Sequence, residues 1–490
     1  MSASTEFDDK AELKAHDLRH RAVLQQNIGT YTAKVAETKA RFLNWEPGRQ
    51  SARGRKWEAI NHLDRYLEDF ERNASERGTV VHWAVDGAQA RALILDLCRK
   101  HQVRRVVKSK SMITEEIHLN DFLETHGILP VETDLGEYIV QLRCEHPYHI
   151  VTPAMHLTRD DVDQTFHEKL GTPRGSVPAE LAGIARRVLR QKYLEADMGI
   201  TGANFLVADT GMVVITENEG NARLCSSLPP LHVAIVGIEK VIPRLDDLAL
   251  FLPILAVAGT GQQITCYNTM IGGPRGQGEP DGPVEFHVIL LDNGRTELLA
   301  DTEQREALHC IRCGACLNAC PVFRNIGGHA YGTTYQGPIG SVITPHLRGL
   351  QEWQHLSSAS SLCGACSDVC PVGIGLHHHL LRNRRNAARG GARTWREAVI
   401  FRLWAVVMQN EDLYRFLGHV LRTGQRLLRG AGLEGSFLDP AWRWSRGRSP
   451  PHMPAQTFRE WWENRGKPEN AASILRAKPE AERHNMPQQS

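Results

Sequence analysis

The sequence predicts an α/β fold, then a small cysteine-rich domain, and then a mostly helical C-terminal region. Between about Gly78 and Gly294, short β-branched runs alternate with helical stretches, which is typical of parallel strands joined by crossover helices. Seven of the eleven cysteines lie between Cys310 and Cys370, in loop-rich sequence. Together these observations place a parallel sheet before a metal or cluster domain.

Length and composition indicate a globular protein of several domains. The chain has 490 residues, of which 41% are hydrophobic, 23% charged and 7% aromatic. These values exclude disordered and collagen-like chains. We expect a helical N-terminal region over 1–75, the α/β domain over 76–300, the cysteine domain over 301–385 and a basic Trp-rich region over 386–490.

Charge is distributed unevenly along the chain. Residues 382–490 carry 20 Lys and Arg against 10 Asp and Glu, although the net charge of the whole is only +2. Six of the ten tryptophans also follow residue 390. Basic, Trp-rich segments can bind nucleic acids or membrane interfaces, but this one contains no recognised nucleic-acid-binding module. We therefore expect it to dock onto a partner subunit, and we expect no nucleic acid.

The predicted elements follow from local periodicity. Residues 1–75 have the i, i+3, i+4 apolar spacing of helices, interrupted at Pro47–Gly54. TVVHWAV and VRRVVK read as strands, GILPVETD and EYIVQL continue the alternation, and helices are expected over 88–101, 114–126 and 178–198. NFLVAD and MVVITE flank Thr210 and Gly211 as a hairpin, and HVAIVGIEKVI and PVEFHVILLDNG read as buried strands. Arg382–Thr394 reads as a linker, and 395–428 as an amphipathic helix.

The N-terminus and the hydropathy pattern predict a cytoplasmic protein. MSASTEFDDK has no apolar segment of a secretory signal, and no run reaches about 18 uncharged apolar residues. We therefore expect no membrane span, while peripheral association stays open. In that compartment the cysteines are expected to be reduced rather than paired in disulfides.

The first cysteine motif matches an iron–sulfur binding run. Cys310, Cys313, Cys316 and Cys320, followed by Pro321, fit C-x2-C-x2-C-x3-C-P at every position. In two-cluster ferredoxins this run gives three thiolates to one [4Fe–4S] cluster and the fourth to the other. Structural zinc also uses C-x2-C pairs, but a doubled C-x3-C-P ending fits tetrahedral zinc poorly.

A second copy of the motif lacks its first cysteine. Cys363, Cys366 and Cys370-Pro371 repeat the spacing, and Ser360 stands where the missing cysteine would be. The crossover rule assigns two ligand groups, Cys310, Cys313, Cys316 and Cys370 to one and Cys320, Cys363 and Cys366 to the other. Three thiolates suit a [3Fe–4S] centre, or a [4Fe–4S] centre whose last iron takes Ser360, water or a partner's ligand.

Longer segments around these motifs resemble lactate-utilisation protein B, a bacterial family. The resemblance lies in Val106–Ile128, Glu132–Leu142, Gly199–Leu224, Leu228–Pro243 and the cysteine window, and it extends from about Val35 to Leu381. It implies a lactate-utilisation (LUD) domain similar to the sugar-phosphate isomerase and CoA transferase fold. It also implies two partners, a cysteine-rich lactate-utilisation subunit and a second protein with the α/β domain, which together oxidise L-lactate to pyruvate. The family tends to have Ser-Ser-Leu-Cys at this place, so the resemblance implies that a serine instead of a cysteine at position 360 is a family trait.

Weaker signals have plain alternatives. Lys108–Ser111 could bind an anion at a strand-to-helix turn, but helix capping with a solvated charge pair is the simpler interpretation. Glu217–Arg223 could line a pocket at a strand end or serve as turn chemistry. His377–His379 cannot share one helix face, and Cys98, Cys144, Cys225 and Cys266 read as small buried residues.

Three functions fit these observations. The favoured one is an electron-transfer subunit of a multi-protein L-lactate oxidation system, which is not catalytic alone, because the chain has no G-x-G-x-x-G motif for a flavin or nicotinamide. The second is a self-sufficient cluster-dependent hydroxy-acid enzyme that uses an open cluster iron. The third is a non-enzymatic scaffold that senses iron or redox state.

Overall fold

The fold is described from a computed structural model of the whole chain. The described residues are 2–391, 395–433, 435–436, 438–439, 441–442, 454 and 456–465. The chain divides into two compact units, Met1–Ala392 and Arg393–Ser490. The strands and the cysteine motifs all lie in the first unit.

The described residues form these elements. The α-helices are α1 Ala3–His16, α2 Leu18–Arg41, α3 Trp45–Asn61, α4 Leu63–Glu76, α5 Gly87–Lys100, α6 Met112–Glu116, α7 Leu119–Thr125, α8 Leu135–Leu142, α9 Arg159–Leu170, α10 Pro178–Glu195, α11 Asn221–Ser227, α12 Leu248–Thr260, α13 Arg295–Ala300, α14 Ala315–Ala319, α15 Phe323–Ile326, α16 Gly337–Arg348, α17 Leu350–Ser358, α18 Ala365–Asp368, α19 Leu376–Arg389, α20 Trp395–Gln409, α21 Glu411–Gly430 and α22 Phe458–Asn464. The strands are β1 Val80–Ala84, β2 Arg105–Lys108, β3 Leu129–Glu132, β4 Met198–Thr201, β5 Phe205–Val207, β6 Met212–Glu217, β7 Leu231–Gly237, β8 Val241–Ile242, β9 Tyr267–Ile271 and β10 Glu285–Leu291. Short 3₁₀ helices cover Ile238–Lys240, Leu245–Asp247, Arg305–His309 and His329–Tyr331.

The main sheet has six parallel strands in the order β1-β10-β7-β4-β2-β3. Its central strands β7 and β10 are apolar runs buried on both faces, as the sequence predicted for a parallel sheet. Because all six strands run the same way, the carboxyl ends of β2, β4 and β7 meet at one edge. The predicted α/β class is confirmed.

The predicted hairpin forms, but in a separate sheet. Strands β5 and β6 pair antiparallel across Gly211, and β6 pairs antiparallel with β9, while β8 adds in parallel to β5. The order in this second sheet is β8-β5-β6-β9. The predicted strand HVAIVGIEKVI is therefore split, because the 3₁₀ turn after β7 carries the chain from one sheet to the other.

The two faces of the main sheet belong to different cores. Along β10, Ile289 and Leu291 pack with α5 and α7, whereas Val288 and Leu290 point to the opposite face. That second face shares one hydrophobic core with the second sheet, the N-terminal helices and the cysteine segment. The α/β domain and the cysteine domain are thus packed together rather than joined by a free linker.

Several helix boundaries differ from the predicted ones. Pro47 does not separate two helices, because it lies in the first turn of α3, where a backbone N–H has no partner within the helix and its absence costs nothing. The chain breaks instead at Asn44, whose φ is 59°. The helix expected over 114–126 is divided by His118, at φ 50°. EYIVQL is the helix α8, whose first turn is capped by the Asp134 carboxylate accepting the Glu137 N–H at 3.1 Å.

The C-terminal predictions are corrected in two places. Arg382–Arg389 is not a linker but the end of α19, which is held by the Arg384 Nε donating to the Ser357 carbonyl at 2.9 Å. The helix expected over 395–428 is two helices, α20 and α21, because Asn410 caps the second one by accepting the Leu413 N–H. Among the described residues, no helix is long and apolar enough to cross a membrane.

Candidate iron–sulfur centres and the adjoining cavity

The first cysteine motif is a loop that reverses direction around Cys313. Arg312 and Gly314 flank it with φ of 61° and 77°, both in the left-handed region. A glycine tolerates this backbone at no steric expense, whereas Arg312 is held there by its surroundings. The Arg312 N–H donates to the Cys310 sulfur at 3.4 Å, and α14 then presents Cys316.

The second motif repeats this backbone. Leu362 and Gly364 flank Cys363 with φ of 54° and 83°, and the short helix α18 follows. The Leu362 N–H donates to the Ser360 hydroxyl oxygen at 3.1 Å, which matches the Arg312 contact to Cys310. The Ser360 oxygen therefore occupies the place in the second motif that the Cys310 sulfur occupies in the first.

Four cysteines come together in what we call the inner group: Cys310, Cys313, Cys316 and Cys370. Burial raises the pKa of Cys313, and the neighbouring charges of Cys370 and Cys310 raise it further. Burial likewise raises the pKa of Cys370 to about 11, although the Ile374 N–H, 3.4 Å from its sulfur, works in the opposite direction. The crossover rule predicted this grouping of residues that are far apart in the sequence.

The remaining three cysteines form the outer group: Cys320, Cys363 and Cys366. Burial raises the pKa of Cys366 to about 11, with Cys320 as the next cause. Cys363 is exposed, and the Ala365 N–H lowers its pKa. The outer group therefore reaches the surface of the described chain, while the inner group has three buried cysteines and one half-buried.

The donor set fits iron–sulfur clusters. All eleven cysteines are free thiols, and backbone amides point at sulfurs in both groups. Amide donors of this kind stabilise cluster sulfur and the charge it carries. The inner group would hold one cluster, and the outer group with Ser360 would hold the second.

Two cationic side chains of α3, Arg49 and Lys56, lie close to the inner cysteine group. Arg49 donates to the carbonyls of Cys370 and Ser367 at 2.6 and 2.9 Å. The buried Lys56 donates to the Glu239 carbonyl at 2.6 Å, and burial lowers its pKa to about 7. The sequence analysis missed both, because nothing near 49–56 marks these residues as neighbours of cysteines about 250 positions or more away.

A buried ion network connects the α/β domain to the first motif. Arg295 donates to Glu239 at 2.6 Å and to both carboxylate oxygens of Glu116 at 2.8 and 2.9 Å. Arg312 donates to the other oxygen of Glu239 at 3.2 Å. Burial acts to raise the pKa of Glu239, but Arg295 and Arg312 outweigh it and hold that pKa at about 2.

A cavity of about 580 Å³ lies at the carboxyl edge of the main sheet. Its wall includes the ends of β2, β4 and β7 and reaches Arg312 and Cys313 of the inner group. The helix α12 closes it at Gly259, where a side chain would come within 3.1 Å of the Cys313 carbonyl. Ligands of open α/β sheets bind at such an edge.

Both weaker sequence motifs lie at this cavity. Lys108 is buried and pairs with Glu132 at 2.6 Å, whereas the sequence predicted a solvated charge pair. Ser111 precedes α6 but makes no capping hydrogen bond, so the predicted capping is also not found there. Glu217 lines the cavity and also accepts the N–H groups of Ala222 and Arg223, so both of its interpretations hold.

The other candidate residues have structural surroundings. Cys98 and Cys225 are buried as expected, but Cys144 and Cys266 are exposed, so that prediction is wrong for two of the four. In α19, His379 is buried against Gln304 and Glu306, while His377 bonds to Ser367. These two histidines therefore contact different partners.

Comparison with known families agrees with this arrangement. Family models match residues 67–291 as the LUD domain, 306–374 as a 4Fe-4S dicluster domain and 380–467 as "Lactate utilisation protein B, C-terminal". The fold and the site thus define an iron–sulfur protein built on a LUD domain.

Curated relatives identify the family. Lactate utilization protein B of Geobacillus thermodenitrificans is 41% identical over 86% of this chain and 89% of its own length, and that of Bacillus subtilis is 39% identical over 90% and 92%. The "Uncharacterized electron transport protein YkgF" of Escherichia coli is 37% identical over 94% and 97%. The chain belongs to the lactate utilization protein B family, which confirms the resemblance. A duf162 family protein from Deinococcus radiodurans, 16% identical, covers 47% of this chain and 98% of its own, with a TM-score of 0.25.

Proposed function

We propose that the protein is an iron–sulfur electron-transfer subunit of a multi-protein system that oxidises L-lactate to pyruvate. The oxidation releases two electrons and two protons, and bound clusters would carry the electrons one at a time. The observation that carries the proposal is the placement of the two cysteine groups. The inner group borders the cavity through Cys313, and the outer group reaches the surface through Cys363.

The proposal includes two [4Fe–4S] clusters and the partners named by the resemblance. Ser360 is proposed as the fourth ligand of the outer cluster, because its oxygen lies where Cys310 presents sulfur in the first motif. A cysteine-rich subunit and a second LUD-domain protein would supply the centre that removes hydride from carbon, since this sequence has no flavin or nicotinamide fingerprint. The family name of the relatives supports a role in lactate use. Cluster ligation requires cysteines that stay reduced, which supports a cytoplasmic location.

The first test is metal analysis of the whole protein purified without oxygen. We expect about eight iron and about eight acid-labile sulfide per chain, and no stoichiometric zinc. Cys316→Ser removes an inner-group ligand and should halve the iron, whereas Cys144→Ser changes an exposed cysteine outside both groups and should leave it unchanged. Zinc without sulfide would contradict the proposal.

The second test separates a relay subunit from a self-sufficient enzyme. L-lactate should bleach the cluster absorbance of the loaded protein only when both partner subunits are present. Bleaching and pyruvate formation by this chain alone would instead support the hydroxy-acid enzyme that uses an open cluster iron. Reducible clusters that never respond to lactate, with or without partners, would favour the redox-sensing scaffold.

A further inference from the structure

Two cationic side chains on the cavity wall have hydrogen-bonding capacity that the protein does not use. Lys240 follows β7, and within residues 2–391 its ammonium forms no hydrogen bond or ion pair. The Nη1 of Arg312 is buried without a hydrogen-bond partner, although Nη2 binds Glu239. We call Lys240 and Arg312 the cation end of the cavity.

Lys240 has no hydrogen-bonded partner within residues 2–391, and Arg312 keeps one buried N–H group unused beside its ion pair with Glu239, so both side chains have donors to offer a bound anion. Burial lowers the pKa of Lys240 to about 8, and the charge of Arg312 is the next cause, so the two cations lie near each other. A carboxylate between them would satisfy both groups, because a guanidinium fork and a carboxylate match in geometry. The cavity therefore has the features of an anion site.

Acidic side chains line another part of the same cavity. Asp134, Glu217 and Glu219, which we call the acidic end, line the same cavity around Lys110. Desolvation raises the pKa of Glu219 to about 7, and the charges of Asp134 and Glu217 act in the same direction, so the three carboxylates lie near one another. A second carboxylate on a ligand would be repelled by this end, so the wall favours monocarboxylates over dicarboxylates.

Apolar side chains also line the cavity, which reaches the inner cysteine group at Cys313. Met112, Ile235 and Leu255 contribute to the wall, and Cys313 lies beside the cation end through its neighbour Arg312. A ligand with a short aliphatic group would bury that group here, as in most small-molecule sites. Its carboxylate would then lie on the cluster side of the cavity.

We propose that this cavity binds a small 2-hydroxy or 2-oxo monocarboxylate, whose carboxylate is held by Lys240 and Arg312 next to the inner cysteine group. The anion site follows from the cavity and its charges. The choice of a 2-hydroxy or 2-oxo acid rests on the proposed function.

The test is calorimetric titration of the cluster-loaded full chain, without oxygen, using L-lactate, pyruvate, succinate and inorganic phosphate. L-lactate or pyruvate should bind, and succinate and phosphate should bind at least about tenfold more weakly. Lys240→Met, which keeps length and removes charge, should weaken binding about tenfold or more, and Arg312→Lys, which keeps charge but loses the fork, should weaken it less. Lys100→Met is the matched control, since Lys100 is an exposed lysine whose ammonium pairs with Glu285 away from the cavity.

The outcomes separate this inference from the proposed function. Iron content and the electron paramagnetic resonance (EPR) spectrum of the reduced clusters show whether each variant is folded and loaded, and bound ligand should alter the inner cluster's signal. Reducible clusters with no carboxylate binding below about 10 mM would overturn the inference and leave the electron-transfer proposal standing. The inference is also wrong if Lys240→Met shifts the cluster potential but not ligand affinity, because the lysine would then only offset cluster charge. Carboxylate binding by a chain that holds no clusters would support the cavity site and refute the proposed function.

Discussion

Replacing Arg295 by methionine tests the buried ion network that joins the α/β domain to the first cysteine motif. Arg295 is 1% exposed and makes three hydrogen bonds to the carboxylates of Glu116 and Glu239. Breaking a buried ion pair from one side typically costs about 3–5 kcal/mol, since the partner charge stays buried. Tyr335 still donates to Glu116 and Arg312 to Glu239, so we expect the lower end, about 3 kcal/mol.

The assay is urea unfolding of the loaded protein, followed by tryptophan fluorescence and circular dichroism. At a slope of about 3 kcal/mol per molar, the midpoint should fall by about 1 M. Arg41→Met, which removes an exposed pair with Glu37, is the control and should leave the midpoint within error. Adding Glu116→Gln to Arg295→Met should recover part of the loss, because Glu239 still pairs with Arg312, whereas Glu116 loses its ion-pair partner when Arg295 is removed.

Acidification should reduce the difference between the wild type and Arg295→Met. In the wild type the pKa of Glu239 is held at about 2, below its usual 4.5, so the ion pairs contribute stability above about pH 4.5 and lose it as the pH falls towards 2. Without Arg295 the same carboxylates gain protons at higher pH, and their burial then costs less. A midpoint shift under about 0.3 M at pH 7, or one that grows on acidification, would refute this account of the network.

Substitutions at two further positions, Ser360 and Gly211, test a proposed cluster ligand and a constrained backbone site. Ser360→Cys should keep the iron content and change the EPR spectrum of the outer cluster to that of a cluster held by four thiolates. Ser360→Ala should lose about one iron and give the EPR signal of a three-iron cluster. Unchanged spectra in both variants would exclude Ser360 as a ligand. Gly211→Ala should destabilise by about 2–4 kcal/mol, because a side chain there would lie 2.2 Å from the Ala74 nitrogen at a φ of 67°. Gly127→Ala, at φ 75° in open space, controls for the backbone alone and should cost only about 1 kcal/mol in the same unfolding assay.

The sequence predicts those features that depend on local spacing. The apolar runs of β7 and β10 identify a parallel sheet, and the two cysteine motifs predict two groups of cluster ligands, because both patterns repeat over a few residues. The segment EYIVQL shows where local prediction fails, since a short apolar run fits a buried strand or a buried helix equally well. The helix forms because Asp134 caps its first turn and because the fold buries most of its residues.

The charged wall of the cavity could not be predicted in the same way. Arg295 meets Glu116 from 179 positions away, and no local pattern records such a contact. Lys240 did carry a signal, because a charged residue directly after the apolar run of β7 stands at the carboxyl edge where ligands bind. A comparison of the strand ends along that edge would have placed Lys240 and the Glu217–Arg223 motif at the same cavity.

The shared position of the cation end and the inner cysteine group implies that ligand binding and cluster reduction oppose each other. Reduction adds one negative charge to a cluster, and two unit charges about 10 Å apart at an effective dielectric of about 20 repel by about 1.7 kcal/mol, which is more than tenfold in affinity. The effect is reciprocal, so a carboxylate bound at Lys240 and Arg312 would lower the potential of the inner cluster by the same free energy. We therefore expect dithionite-reduced protein to bind L-lactate or pyruvate about tenfold more weakly than oxidised protein, and to bind the uncharged lactamide equally in both states. Equal affinity for the acid in both redox states would mean that the anion site and the inner cysteine group are electrostatically independent. Because Arg312 lies between Cys310 and Cys313 in the sequence, that result would also rule out carboxylate binding at the cation end.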